Sequence, residues 1–153
     1  MSEYRQNLTT GQWTVIATER AGRPEDFLKP QAEENSRLHQ PTHSDSCPFC
    51  RDGDIERARA SVERLDCDGN WLLKIVPNKY ASLSRNGSPK LIPHGLFTKG
   101  DGYGVSDVVV ESPLHNTHLA LMKPDEISLV FGAMQERFLQ LLEDPAIRII
   151  NLF

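Results

Sequence analysis

The residues whose types and spacing best suit chemistry are Cys47-Pro48-Phe49-Cys50. Two cysteines two residues apart can put two thiolates on one tetrahedral metal ion, zinc above all. A dithiol redox site uses the same spacing, but there the pair opens a helix after a strand. Here a polar loop precedes it, so a metal pair is the better reading. Two sets of further ligands compete. The local set is His39-x3-His43-x3-Cys47-x2-Cys50, compact enough to close a site by itself. The distant set takes His115, with His118 beside it, from beyond an apolar stretch centred on Val108-Val109-Val110. The residues alone leave this choice open. His94, between Pro93 and Gly95, has no partner and reads as an ordinary loop histidine.

Such a pair needs elements to hold it. Trp13 to Ala17 is strand-like by aromatic and β-branched content, after a turn at Thr10-Gly11. Residues 28–46 show no periodicity and read as a long loop, as do residues 81–104, rich in Gly, Ser and Pro. Residues 54–65 fit a short helix or a strand. Trp71 to Val76 reads as a strand stopped by Pro77-Asn78, and Val105 to Glu111 as another ended by Ser112-Pro113. Pro124-Asp125-Glu126 is a helix start, with acid in the first turn where the macrodipole favours it. Ile127, Val130, Phe131, Met134, Phe138, Leu141 and Leu142 then make one apolar helical face, ending near Asp144-Pro145. Ile147 to Phe153 reads as a last strand. One helix among several strands gives an α+β class with a mainly antiparallel sheet.

Composition narrows the partners. The chain has 153 residues, 39% hydrophobic and 25% charged, enough for one domain with a real core. A net charge of −4 offers no basic field for nucleic acid or an anionic membrane surface. No apolar run approaches the roughly 20 residues of a membrane span, and the N-terminus lacks a signal-peptide core. Three cysteines are too few for a disulfide framework, so a reducing cytoplasm is expected.

Five stretches in order resemble the N-terminal half of the galactose-1-phosphate uridylyltransferase family, in the histidine-triad superfamily. They are Arg5-x-Asn7-x-x-Thr10-Gly11-x-Trp13-x-Val15-Ile16, Glu19-Arg20-Ala21-x-Arg23-Pro24, the cysteine pair, Val76-Pro77-Asn78-Lys79-Tyr80, and Val109-Val110-Glu111-Ser112-Pro113-Leu114-His115-Asn116. The resemblance implies a histidine-triad-like α+β fold and a zinc ion held by Cys47, Cys50 and His115. It demotes His39 and His43 to loop residues, turns His118 toward solvent or a cap, and leaves Cys67 a free thiol. It also implies UDP-glucose and galactose 1-phosphate as partners, UMP carried on a histidine, and homodimeric full-length enzymes.

By the same resemblance Arg20 and Arg23 lie near the nucleotide, where guanidinium forks match phosphate oxygens. The plain alternative is ion pairing with Glu19, Glu25 or Asp26. Asn78 offers a donor and an acceptor to a base edge, or is simply a turn residue after Pro77. Phe49 and Val76 are apolar walls for the base, or core packing. The family's nucleophile and fourth zinc ligand lie in an H-P-H segment, and none of the five histidines here stands in an H-x-H pair. The expectation is a truncated first repeat with no catalytic residue of its own, weak zinc binding and no UMP transfer. Two alternatives stand beside it: a phosphorylase of ADP-sugars or dinucleoside polyphosphates, and a non-enzymatic zinc-stabilised nucleotide-binding module. A plain metal staple without a pocket is the third.

Overall fold

The computed structural model describes residues 2–18, 40–50 and 53–153. They form two compact units, one from Met1–Pro30 and Asn78–Ser106, the other from Gln31–Pro77 and Asp107–Phe153.

The first unit is a four-stranded antiparallel sheet. β1 (Glu3–Gln6) and β2 (Trp13–Ile16) form a hairpin. Asn7 shapes its turn, with Oδ1 accepting from the Thr9 and Thr10 N–H groups at 2.8 and 3.2 Å. β5 (Leu91–His94) and β6 (Phe97–Asp101) form a second hairpin, and β6 pairs with β1, giving the order β2-β1-β6-β5. Residues 81–104 are therefore not one long loop. Neither strand alternates cleanly, and Pro93 argues against a strand. On the sheet's edge it can keep its missing N–H away from the ladder.

The second unit carries a three-stranded antiparallel sheet of β3 (Val62–Leu65), β4 (Trp71–Pro77) and β7 (Asp107–Val110), ordered β3-β4-β7. Residues 54–65 hold both expected elements, a 3-10 turn at Asp54–Glu56 and then β3. β4 is central and covered on both faces, which explains its nearly unbroken apolar run. One face packs Val62, Leu73 and Ile75 against Val130 and Ala133 of the helix α1 (Pro124–Leu142). The other gathers Ile55, Trp71, Val76 and Val110. α1 starts as its sequence promised: Pro124 leads, and the Lys123 N–H donates to Glu126 Oε2 at 2.7 Å.

Two further expectations need correction. Ile147–Phe153 forms no strand; Ile149, Leu152 and Phe153 are 78%, 68% and 115% exposed. β-propensity alone does not make a strand, and no described neighbour offers this segment a ladder. The apolar stripe of α1 is also only partly used. Val130, Ala133 and Leu141 are buried, while Phe131, Phe138 and Leu142 stay exposed. Small Ala133 lets the helix approach the sheet on a face rotated from the stripe. The α+β class and antiparallel pairing stand. Residues 28–39 of the expected first loop lie outside the described residues, and 40–46 carry no helix or strand. No described helix is long and apolar enough to cross a membrane.

Candidate metal centre

The cysteine pair sits in a tightly wound turn of the second unit. The Cys47 N–H donates to Ser44 O at 3.0 Å, Cys50 N–H to Cys47 O at 3.4 Å, and Gly53 N–H to Cys50 O at 3.0 Å. Pro48 holds the second position of the Cys47–Cys50 turn, where its fixed φ suits the bend. The Ile55 N–H then donates back to Pro48 O at 3.0 Å. The winding leaves no room at Gly53. A Cβ there would lie 2.8 Å from Cys47 O and 2.9 Å from Pro48 O.

His115 reaches the pair from the turn after β7. Ser112 Oγ accepts the Leu114 N–H at 3.1 Å and bends the chain. The His115 N–H donates to Thr42 O at 2.8 Å, which ties this turn to the loop before the cysteines. His115 Nδ1 lies 3.4 Å from Cys50 Sγ, and one ligand atom from each of Cys47, Cys50 and His115 lies within 4.8 Å of the others. A tetrahedral zinc ion with bonds of about 2.3 Å to sulfur and about 2.0 Å to nitrogen spaces those atoms roughly 3.5 Å apart. The donor set and its spacing fit such an ion. Burial pushes the Cys50 thiol up; Cys47 and Asp45 add to the rise, and a hydrogen bond from the Ser44 backbone opposes it. A bound cation would reverse that balance, because it holds a coordinating thiol as thiolate.

The other expected residues separate clearly. His43 is exposed and pairs with Asp45 at 3.1 Å rather than joining the trio. His118 is exposed at the start of the 3-10 turn Leu119–Leu121, where its carbonyl accepts the Leu121 N–H. His94 is an exposed residue of β5, and Cys67 an exposed free thiol in a turn. Phe49 is 46% exposed on the rim of a groove of about 340 Å³, walled by the trio, Val108–Val110 and Leu114. That volume suits a small ligand. Val76 is 3% exposed within the core cluster and does not line this groove. Asn78 belongs to the first unit, where its Oδ1 accepts the Tyr80 N–H at 2.9 Å. Arg20, Arg23 and His39 lie outside the described residues. Sequence reading missed Thr42 and Gly53. Thr42 acts through a backbone carbonyl, which spacing cannot announce. Gly53, three residues beyond Cys50, was the available signal of a crowded turn.

Fold and site together define an α+β protein with a Cys–Cys–His cluster that could hold a metal ion such as zinc, beside an open groove. Over 153 residues the chain is 33% identical to the ADP-glucose phosphorylase of Arabidopsis thaliana, covering 99% of this chain and 42% of that protein. The crystal structure of an ADP-glucose phosphorylase from Arabidopsis thaliana with bound ADP-glucose matches with a TM-score of 0.56 at 28% identity, over 97% of this chain and 41% of that one. A GalT-like protein from the same plant matches with a TM-score of 0.51 at 33% identity, over 68% and 32%. A uridylyltransferase structure at 23% identity and TM-score 0.56 shares the fold over 90% and 35%. No family profile matches the chain. These similarities run in the direction of the motif resemblance: the chain is similar to an ADP-glucose phosphorylase and to a GalT-like protein, and shares its fold with a uridylyltransferase. It spans less than half the length of the relatives it matches.

Proposed function

We propose that this chain carries the metal-supported, nucleotide-facing part of an enzyme that moves a nucleotidyl group from a nucleotide sugar. The observation behind this reading is that one groove holds both the Cys47–Cys50–His115 trio and the half-exposed ring of Phe49. A zinc ion on the trio would supply structural closure, fixing the 42–50 loop to the turn after β7. Phe49 then offers a flat face on which a base can stack, and the walls of β7 exclude water from one side of it.

The motif resemblance put UDP-glucose and galactose 1-phosphate first. Identity of 33% to an ADP-glucose phosphorylase moves an adenosine nucleotide sugar ahead of a uridine one. Arg20 and Arg23 are proposed for the phosphates and Asn78 for a base edge, on the resemblance alone, each tested by its own substitution. Val76 contributes as packing behind the sheet. The reading assigns binding to these residues and the covalent step to none of them.

The test is calorimetric titration of the zinc-loaded chain with ADP-glucose and with UDP-glucose. ADP-glucose is expected to bind the tighter, and Phe49→Ala to weaken it by about 10-fold, the loss of one stacking contact. Equal, unsaturable signals from both sugars would overturn the reading. Preference for UDP-glucose would restore the uridylyltransferase reading.

A further inference from the structure

Among the described residues, Lys74 is the one charged side chain that is buried, at 4% exposure. It lies mid-β4, opposite Val110, on the sheet face that carries Ile55, Trp71 and Val76. An apolar side chain would extend that cluster without desolvating an ammonium, which is costly. Three groups among the described residues lie near the charge. Glu63 Oε1 lies 3.0 Å away across the β3–β4 ladder, the Ile55 carbonyl 3.5 Å away, and the Trp71 ring 5.5 Å away. Glu63 supplies an opposite charge. The Ile55 carbonyl accounts for something else.

Ile55 is the far anchor of the cysteine turn. Its N–H bonds Pro48 O at 3.0 Å, between the two ligand cysteines, and its side chain is 6% exposed in the cluster. A continuous path thus runs from Lys74 through Ile55 to Pro48 and the thiols. The other ligand hangs from the same strand. The Lys74–Val110 pair is the last rung of the β4–β7 ladder before the chain turns to His115. Both halves of the trio are referenced to one residue of β4.

We infer that Lys74 is a positioning residue for the metal cluster, fixing the Cys47–Cys50 turn against the strand that also delivers His115. This rests on the metal reading above. Groups that bond a ligand side chain directly change metal affinity by about 10- to 100-fold, and Lys74, bracing the turn through Ile55, is expected at the low end of that range.

The experiment titrates the purified chain with cobalt(II), reading the d–d bands and the thiolate-to-cobalt charge-transfer band, and then displaces cobalt with zinc. Lys74→Met is expected to lower cobalt affinity by about 10-fold and to shift the d–d bands as the site loosens. The double variant Lys74→Met with Glu63→Leu keeps the test valid where the single one does not fold, since removing both charges leaves neither the buried lysine end nor Glu63 without its partner. It is expected to show the same loss. Val130→Ala, on the opposite face of the sheet, is expected to lower the melting temperature and leave the cobalt spectrum and affinity unchanged. A double variant that binds cobalt like the parent overturns the inference alone. So does Val130→Ala losing affinity in proportion to its stability. A parent chain that takes up no cobalt overturns the metal reading and this inference with it.

Discussion

Arg137 crosses from α1 to the first residue of β7, its Nε donating to Asp107 Oδ2 at 2.8 Å. Both side chains are largely buried, at 20% and 12% exposure, and Asp107 Oδ1 has no described partner. Removing the guanidinium would leave a carboxylate in the protein with no opposite charge beside it. Arg137→Ala is therefore expected to cost about 3 kcal/mol, well above the value of an exposed pair. Urea unfolding measures this, and a loss below about 0.5 kcal/mol, the level of an ordinary surface change, would reject it. The sequence did not announce this bond, because its partner is thirty residues away and neither residue stands in a motif. The cysteine pair announced itself by spacing, since metal geometry demands it. His115 was one of two options until the resemblance chose; its Nδ1 lies 3.4 Å from Cys50 Sγ. Lys74 lay hidden inside a strand whose other residues read as core. A hydrogen bond to a backbone carbonyl leaves no trace in residue type.

At the scale of elements, β4 and α1 were legible because their patterns are long and local. β5 and β6 were not, because a short hairpin with Pro93 on its edge looks like a loop until a neighbouring strand pairs with it. The face used by α1 was only half legible. Periodicity finds the apolar stripe, but which side of it meets the sheet depends on where a small residue lets two backbones approach. The cysteine turn gives the sharpest prediction at this scale. Gly53 has an ordinary φ of −79°, so its backbone would accept alanine. Space would not: a Cβ meets three backbone oxygens, those of Cys47, Pro48 and Cys50, at 2.8 to 3.0 Å. Backbone cannot rotate aside as a side-chain tip can, so the turn itself must open. Gly53→Ala is expected to lower metal affinity by about 10-fold and to cost about 1–3 kcal/mol of stability. Cobalt titration and thermal melting read the two effects, and unchanged values for both would show that the turn is not confining. Gly11, whose turn has a positive φ of 70° but nothing within 4 Å of a Cβ, supplies the contrast. Alanine there would strain the backbone and leave the metal site alone.

At the scale of the whole molecule, the two units differ in what they bury. Every buried apolar side chain among the described residues, from Cys50 to Leu141, lies in the second unit. Among the described residues of the first unit the buried ones are Gly100, Gly102 and Gly104, which bring no side chain to a core. Hydrophobic burial is the main force that resists opening, so the first unit's sheet rests chiefly on its ladders. Native-state hydrogen exchange should then be uneven. Amides of β4, covered on both faces, are expected to exchange last, at the free energy of global unfolding. Amides of β1, β2, β5 and β6 are expected to exchange about 30-fold or more faster, through local opening at about 2 kcal/mol less. Zinc should widen the gap, because an ion that binds only the folded trio adds its binding free energy to the second unit. The added protection should appear first at the amides of Cys50, Ile55 and His115, whose hydrogen bonds to Cys47, Pro48 and Thr42 frame the cluster. Uniform protection across both sheets, with or without zinc, would mean that the chain unfolds as one cooperative block and that the first unit draws its stability from something other than its own core.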